Sequence, residues 1–305
     1  MSKDKPPIPA TLITGPLGAG KTTLLLHILR SAREPIAVIV NEFGELGIDS
    51  KILEGESLRL VELEDGCVCC SLIGDFEAAI QELLEAFELQ AIVIETTGVA
   101  EPESLIALLS DDISGVTLDG VVTVVDADAM AAFAMWGRTL SSQLESADLI
   151  LLNKSDLIDS EERSRIRARI REMNPKAPVV ETVHAHVDPE IVMGPLGRTV
   201  QGETTAPDRE PHESPFESFT FEEERPLLRE CFEKEASGWS QRIYRVKGLV
   251  KFADGSGAIF NFVAGRADFH AYKTEFSRLV FIGKAISCER DSIIQRLRDC
   301  AQHAF

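Results

Sequence analysis

The chain has 305 residues, 44% of them apolar and 27% charged, which is the balance of a globular protein long enough for two domains or one large α/β domain with an appendage. Its formal net charge of −19 argues against non-specific nucleic-acid binding, which needs Lys and Arg to neutralise phosphates, and against docking on an anionic membrane. Met1–Pro9 has no apolar signal core, and no stretch approaches the roughly 20 apolar residues of a membrane helix. A cytoplasmic, reducing location is therefore expected, where the six Cys read as thiols or metal ligands before disulfides.

The first 195 residues alternate short apolar runs with longer amphipathic ones, as a mostly parallel α/β sheet flanked by helices requires. Strands are predicted at Thr11–Thr14, Ile36–Val40, Leu58–Leu63, Ala91–Ile94, Gly120–Val125 and Leu149–Leu152, their near-continuous apolar character suiting strands buried on both faces. Helices are predicted at Thr22–Arg33, Leu72–Glu88, Glu103–Leu109, Ala127–Arg138 and Glu161–Met173, the last stopped by Asn174 and Pro175. Residues 196–215 are rich in Gly, Pro, Thr and Glu and read as a linker. Residues 216–305 then mix strands at Phe219–Phe221, Arg242–Phe252, Ile259–Ala264 and Leu279–Gly283 with helices at Pro226–Ala236 and Asp291–His303. That mixture predicts a smaller α+β domain with an antiparallel or mixed sheet.

Gly15–Thr22, with Gly18, Ala19, Gly20, Lys21 and then Thr23, fits the G-x-x-x-x-G-K-[ST] spacing between a strand and a helix. Glycines let successive N–H groups turn onto an anion, and the helix N-terminus adds partial positive charge. Lys21 is expected on the β- and γ-phosphates and the Thr22 hydroxyl on Mg²⁺. A Gly-rich turn that binds nothing is the bland alternative, and Lys–Thr in this context argues against it.

Asn153–Asp156 follows the apolar run Leu149–Leu152, at the carboxyl end of a strand where doubly wound sheets bind nucleotides. The Asp156 carboxylate can accept from guanine N1–H and the exocyclic amine, a pair adenine lacks, with Asn153 and Lys154 bracing loop and base. Alone, such a motif is more often a turn with a helix cap; after a phosphate loop it makes GTP the expected ligand. His184 and His186 fall near a base-contacting loop, where a plain loop role outweighs ligation.

Glu95, ending the strand Ala91–Ile94 ahead of Thr96–Gly98, stands where an acid serving Mg²⁺ belongs, although a charge that merely ends a strand is the alternative. Asn41–Gly44, with Glu45 and Asp49, occupies the place of a first switch. Its carboxylates can reach Mg²⁺ or a second cation, yet each taken singly reads as a surface acid. Cys67, Cys69 and Cys70 set three thiols in four residues ahead of a helix N-terminus, which favours thiolates and a soft-metal site over buried apolar Cys or a strained vicinal disulfide. Cys231, Cys288 and Cys300 are expected in the core of the second domain.

Together these motifs resemble the CobW-type metallochaperone GTPases, relatives of the urease and hydrogenase nickel-insertion GTPases. The likeness covers nearly the whole chain: the phosphate loop, Asn41–Gly44, Gly66–Cys70, Glu95–Gly98 with Glu101 and Pro102, Val124–Ala127, Asn153–Asp156, and Arg245–Gly248 and Val280–Gly283 in the second half. The resemblance implies that GTP hydrolysis gates capture and release of a transition metal, Zn²⁺ or Co²⁺, for a metal-requiring client protein, and it leaves room for a nucleotide-dependent homodimer. It implies metal ligation by Cys67, Cys69 and Cys70, a catalytic set of Lys21, Glu42 and Glu95, and Mg²⁺ held by Thr22, Asp49 and Glu95. Pro16 departs from the family's usual aromatic, and a polyhistidine stretch is missing, since the linker and second domain carry only His212, His270 and His303. A GTP-switched scaffold with a structural Cys cluster and a small-molecule P-loop kinase stand as the rival readings.

Overall fold

The computed structural model describes residues 6–32, 34–40, 58–62, 73–98, 102–132, 136–194 and 216–302, with the backbone alone described at 58–62, 73–75, 111–112 and 302. Two compact units divide it, Pro7–Met193 and Gly194 onward.

The first unit runs β1 (Ile8–Thr14), α1 (Lys21–Ser31), β2 (Ile36–Val40), β3 (Leu58–Glu62), α2 (Ile73–Ala86), β4 (Ala91–Glu95), α3 (Glu103–Ala107), β5 (Val116–Asp126), α4 (Ala127–Ala132), α5 (Arg138–Glu145), β6 (Leu149–Asn153), α6 (Ser160–Met173), β7 (Val179–Glu181) and α7 (Pro189–Met193). Its seven strands pair in the order β3-β2-β4-β1-β5-β6-β7, and each pairing is parallel. Consecutive residues point to opposite faces, yet Leu12 and Ile13, Val38 and Ile39, and Val93 and Ile94 are all buried. Both faces are therefore covered by helices, and this explains the unbroken apolar runs in the sequence. Phe76, Ile80 and Leu83 of α2 close one core over Leu12, Ile39 and Ile94. Ile166 and Ile170 of α6 close another over Ile150 and Leu152.

Local chemistry sets the helix ends. The Asp159 carboxylate accepts from Glu162 N at 2.9 Å and so caps α6, whose first turn also carries Glu161 and Glu162 against the positive end of the helix dipole. At the other end, Asn174 Oδ1 accepts from Ala177 N while its Nδ2 donates to Leu144 O and Ala147 O, which ties the stop of α6 to the end of α5.

Three elements differ from expectation. β5 begins at Val116 rather than Gly120, because Asp119 sits as the extra residue of a bulge: Ala10 pairs with Leu118, and Thr11 with Gly120. Asp119 and Gly120 thus form a kink inside a strand. The helix expected over Ala127–Arg138 is described as far as Ala132, and a second helix, α5, begins at Arg138 after extended Gly137. The helix Glu103–Leu109 ends at Ala107 and passes into a π-helical turn, Leu108–Asp112.

The second unit contains β8 (Glu217–Glu223), α8 (Arg229–Ser237), β9 (Ile243–Lys251), β10 (Gly257–Val263), β11 (Arg266–Ala271), β12 (Ser277–Gly283) and α9 (Ser287–Gln302), with an antiparallel sheet ordered β11-β10-β9-β12-β8. β11 is invisible in sequence because Phe269 is its one large apolar residue. Alternation elsewhere holds: Phe219, Phe221, Val246, Phe260, Phe262, Leu279 and Phe281 meet α8 and α9 on one face. Phe232 lies at the centre, fully buried, with ring centroids 4.9 Å from Phe260 and 6.3 Å from Trp239. Glu217 accepts from Ser287 N at 2.7 Å, and this hydrogen bond holds its carboxyl below the ordinary carboxylate range.

The thiol expectation fails for two of the three C-terminal cysteines. Packing of α8 on α9 brings Cys231 and Cys300 to a Cα separation of 5.5 Å and they are joined as a disulfide, while Cys288 is exposed rather than in the core. No helix among the described residues is long and apolar enough to cross a membrane.

Phe232→Ala should remove about 3–5 kcal/mol from the second unit, as expected for emptying a well-packed aromatic site. Denaturant unfolding followed by Trp239 fluorescence measures it, and a loss below about 1 kcal/mol would show that the cluster collapses onto the gap.

Candidate functional site

Parallel pairing puts the carboxyl ends of all the strands of the first unit on one edge of the sheet, so the segments after β1, β4, β5, β6 and β7 leave from the same side. The loop after β1 depends on glycine at three points. Gly15, Gly18 and Gly20 have φ of 133°, 74° and 109°, values that other residues rarely adopt. Space is equally restrictive: a Cβ on Gly15 would fall 2.0 Å from Val124 O, and one on Gly20 would fall 2.4 Å from Asn153 Nδ2. Gly20 precedes α1 directly, so the loop delivers its backbone to the positive end of that helix. Ala19 is buried, whereas Leu17 is 67% exposed.

Lys21 is buried to 6% exposure, and its Nζ donates to Pro16 O at 3.2 Å across the loop. An ammonium held on a carbonyl of this loop is positioned to exchange that acceptor for a phosphate oxygen. The contact uses the Pro16 carbonyl, a main-chain atom that any residue at this position supplies. The Thr22 hydroxyl donates to Glu95 Oε1 at 3.1 Å, joining the start of α1 to the end of β4. Two hard oxygens side by side next to this glycine-rich loop form a donor set that suits Mg²⁺. Gly98 comes so near the loop that a Cβ there would meet Leu17 N at 2.5 Å, and its carbonyl accepts from Gln143 Nε2 at 3.4 Å.

At the end of β6, Asn153 is buried and joins three segments. Its Nδ2 donates to Ala19 O at 2.8 Å, and its Oδ1 accepts from Thr182 Oγ1 at 3.2 Å and from Ala185 N at 2.7 Å. Lys154 takes a left-handed conformation at φ 56°, and its Nζ pairs with Asp126 Oδ2 at 2.6 Å. Asp126 uses its other oxygen to accept from Asp128 N and Ala129 N, which caps α4. Asp156 lies exposed in the 3-10 turn Ser155–Leu157, and Thr23 is likewise exposed. The loop Thr182–His186 adds two consecutive left-handed residues, His184 at φ 52° and Ala185 at φ 53°.

The structure therefore brings Gly15, Gly18, Ala19, Gly20, Lys21, Thr22, Glu95, Asn153 and Lys154 to one edge of the sheet. Glu42, Asp49, Cys67, Cys69 and Cys70 lie outside the described residues. Among the described residues no cluster of three or more His, Cys, Asp or Glu forms a metal site. Sequence reading missed Thr182 and the Ala185 amide, and it gave Asp126, inside the quoted segment Val124–Ala127, no role of its own. Asp126 ends an apolar strand as Glu95 does, which is a usable signal; a backbone amide leaves none.

The model of the CobW/HypB/UreG nucleotide-binding domain matches residues 9–181, and that of the cobalamin synthesis protein cobW C-terminal domain matches residues 216–301. The zinc chaperone CobW of Sinorhizobium sp is 38% identical over 224 residues, 61% of this chain and 62% of that protein. The zinc chaperone YjiA of Escherichia coli is 37% identical over 195 residues, 60% of this chain and 59% of that protein. The chain thus spans about three fifths of the length of the curated relatives it matches. The crystal structure of Zn(II)-bound YjiA GTPase from E. coli covers 97% of this chain and 99% of that chain at 25% identity, with a TM-score of 0.48.

Asn153→Ala would leave the Ala185 amide and the Ala19 carbonyl without their partner, and an abandoned buried polar group costs about 1–3 kcal/mol. Nucleotide affinity should fall at least tenfold in a fluorescence titration. An unchanged affinity would mean that the phosphate and base loops hold their places without Asn153.

Proposed function

Since the chain belongs to the CobW/HypB/UreG family through its nucleotide-binding domain, we propose that it is a GTP-hydrolysing metallochaperone that captures zinc in the cytoplasm and delivers it to a metal-requiring client protein. The observation that carries the reading is the Asn153 junction, in which one side chain fixes the phosphate loop at Ala19 and the base loop at Ala185. Asp156 follows three residues later and is exposed, free to meet guanine N1–H and the exocyclic amine.

In this mechanism Lys21 moves from the Pro16 carbonyl to the β- and γ-phosphates and stabilises the charge that develops there. Thr22 and Glu95, with Asp49, would hold Mg²⁺, which when bound supplies further positive charge at the phosphates. Glu42 is the switch carboxylate. Cys67, Cys69 and Cys70 are the zinc ligands. They fall between β3 and α2, and β3 pairs with β2, which pairs with β4 and its terminal Glu95. Strand order thus supports communication between nucleotide and cargo. Relatives named zinc chaperones favour zinc over cobalt as that cargo. The second domain, residues 216–305, would recognise the client, and a nucleotide-dependent homodimer is compatible with the scheme.

Two measurements test the reading. Asp156→Asn should weaken GTP and improve xanthosine triphosphate, whose extra carbonyl accepts from the new amide; equal affinity of the native chain for ATP and GTP would refute base recognition. Zinc competition against a chelating dye should show tighter binding with a non-hydrolysable GTP analogue than with GDP, by about 5–150-fold, the usual size of allosteric coupling. Changing Cys69 and Cys70 to Ser should abolish the zinc site while sparing nucleotide binding. Identical zinc affinity in the apo, GDP and GTP-analogue states would overturn gated delivery.

A further inference from the structure

The loop Thr182–His186 carries two adjacent non-glycine residues in the left-handed region, His184 and Ala185. That conformation is uncommon for a side chain of this kind, and two in succession persist only where neighbouring contacts fix the turn. Most of those contacts come from β6 and the turn that follows it: Thr182 N donates to Leu152 O at 2.9 Å, Ser155 Oγ to Thr182 O at 3.0 Å, and Ala185 N to Asn153 Oδ1 at 2.7 Å. One comes from elsewhere. His27 Nε2 lies 3.1 Å from His184 O, and a carbonyl only accepts, so His27 carries its proton on Nε2 and donates it. The His186 ring stands edge-on to the His27 ring, with centroids 5.4 Å apart and planes at 86°.

His27 belongs to α1, the helix that begins at Lys21 and Thr22. The contact therefore closes a circuit. Ala19 accepts from Asn153, Asn153 accepts from Ala185, and the neighbouring His184 carbonyl is held by the helix that the phosphate loop opens into. We propose that His27 is a positioning residue for the nucleobase, which sets the geometry of the base loop from the phosphate helix. The inference rests on the nucleotide reading above and extends it to a residue outside every phosphate and base motif.

The test compares ligands that fill both halves of the site with one that fills only the phosphate half. Binding of GTP, ATP and inorganic tripolyphosphate is measured on the full chain, its His27→Ala variant and its His27→Gln variant by displacement of a fluorescent guanine nucleotide. Losing one hydrogen bond that orders a loop should weaken GTP about fivefold to tenfold in His27→Ala. Tripolyphosphate should change by less than about twofold, and His27→Gln, whose amide can still donate, should regain most of the GTP affinity. Equal losses for GTP and tripolyphosphate would show that His27 merely supports α1. No loss for GTP, or no recovery with Gln, would show that the contact does not order the base loop; any of these overturns the proposal. A native chain that binds ATP as well as GTP would defeat guanine recognition instead, and the contrast between nucleotides and tripolyphosphate would still decide the role of His27.

Discussion

The buried amide of Asn153 is the interaction on which the arrangement at the sheet edge depends. An amide side chain both donates and accepts, so one residue can hold the Ala19 carbonyl on one side and the Ala185 amide on the other. Gly20 has to be glycine partly because Asn153 Nδ2 occupies the space that a Cβ would need. The adjacent residue, Lys154, is then forced into a left-handed turn and reaches Asp126, which in turn starts α4. Three loops and two helix starts are thus arranged around a single side chain at the end of β6. Ala19 and Ala185 are held through main-chain atoms and so do not depend on their own side chains for the contact, whereas Thr182 joins through its hydroxyl.

Much of this was legible in the sequence, for identifiable reasons. Strands buried on both faces need continuous apolar character, so Ile36–Val40, Ala91–Ile94 and Leu149–Leu152 announce themselves and sit where expected. The helix at Ser160–Met173 has a capping Asp, early acids and an Asn–Pro stop, each with a local physical cause. The phosphate loop is legible because its glycines are demanded by backbone geometry.

What escaped the sequence has reasons of the same kind. The bulge at Asp119 depends on the register of β1, a partner more than a hundred residues away in the chain. β11 is recruited by its pairing with β10 and has little apolar pattern of its own. The Cys231–Cys300 bond depends on two helices meeting across 69 residues, a separation that no local pattern encodes. In the site, Ala185 acts through its amide and His27 through contact with a carbonyl, so neither residue type advertises the role.

The bond between α8 and α9 also has a consequence for how the molecule can be dismantled. It encloses four of the five strands of the second sheet, β9 through β12, and leaves only β8 outside. Tension applied through the preceding chain can strip β8 away and then meets a covalent closure, behind which the rest of the sheet cannot be drawn out as a single thread. An unfoldase that translocates one strand of polypeptide at a time would have to pass a doubled chain or wait for a reductant. In the disulfide-bonded protein, dismantling this unit therefore requires reduction or passage of the doubled chain, in addition to disrupting its aromatic core.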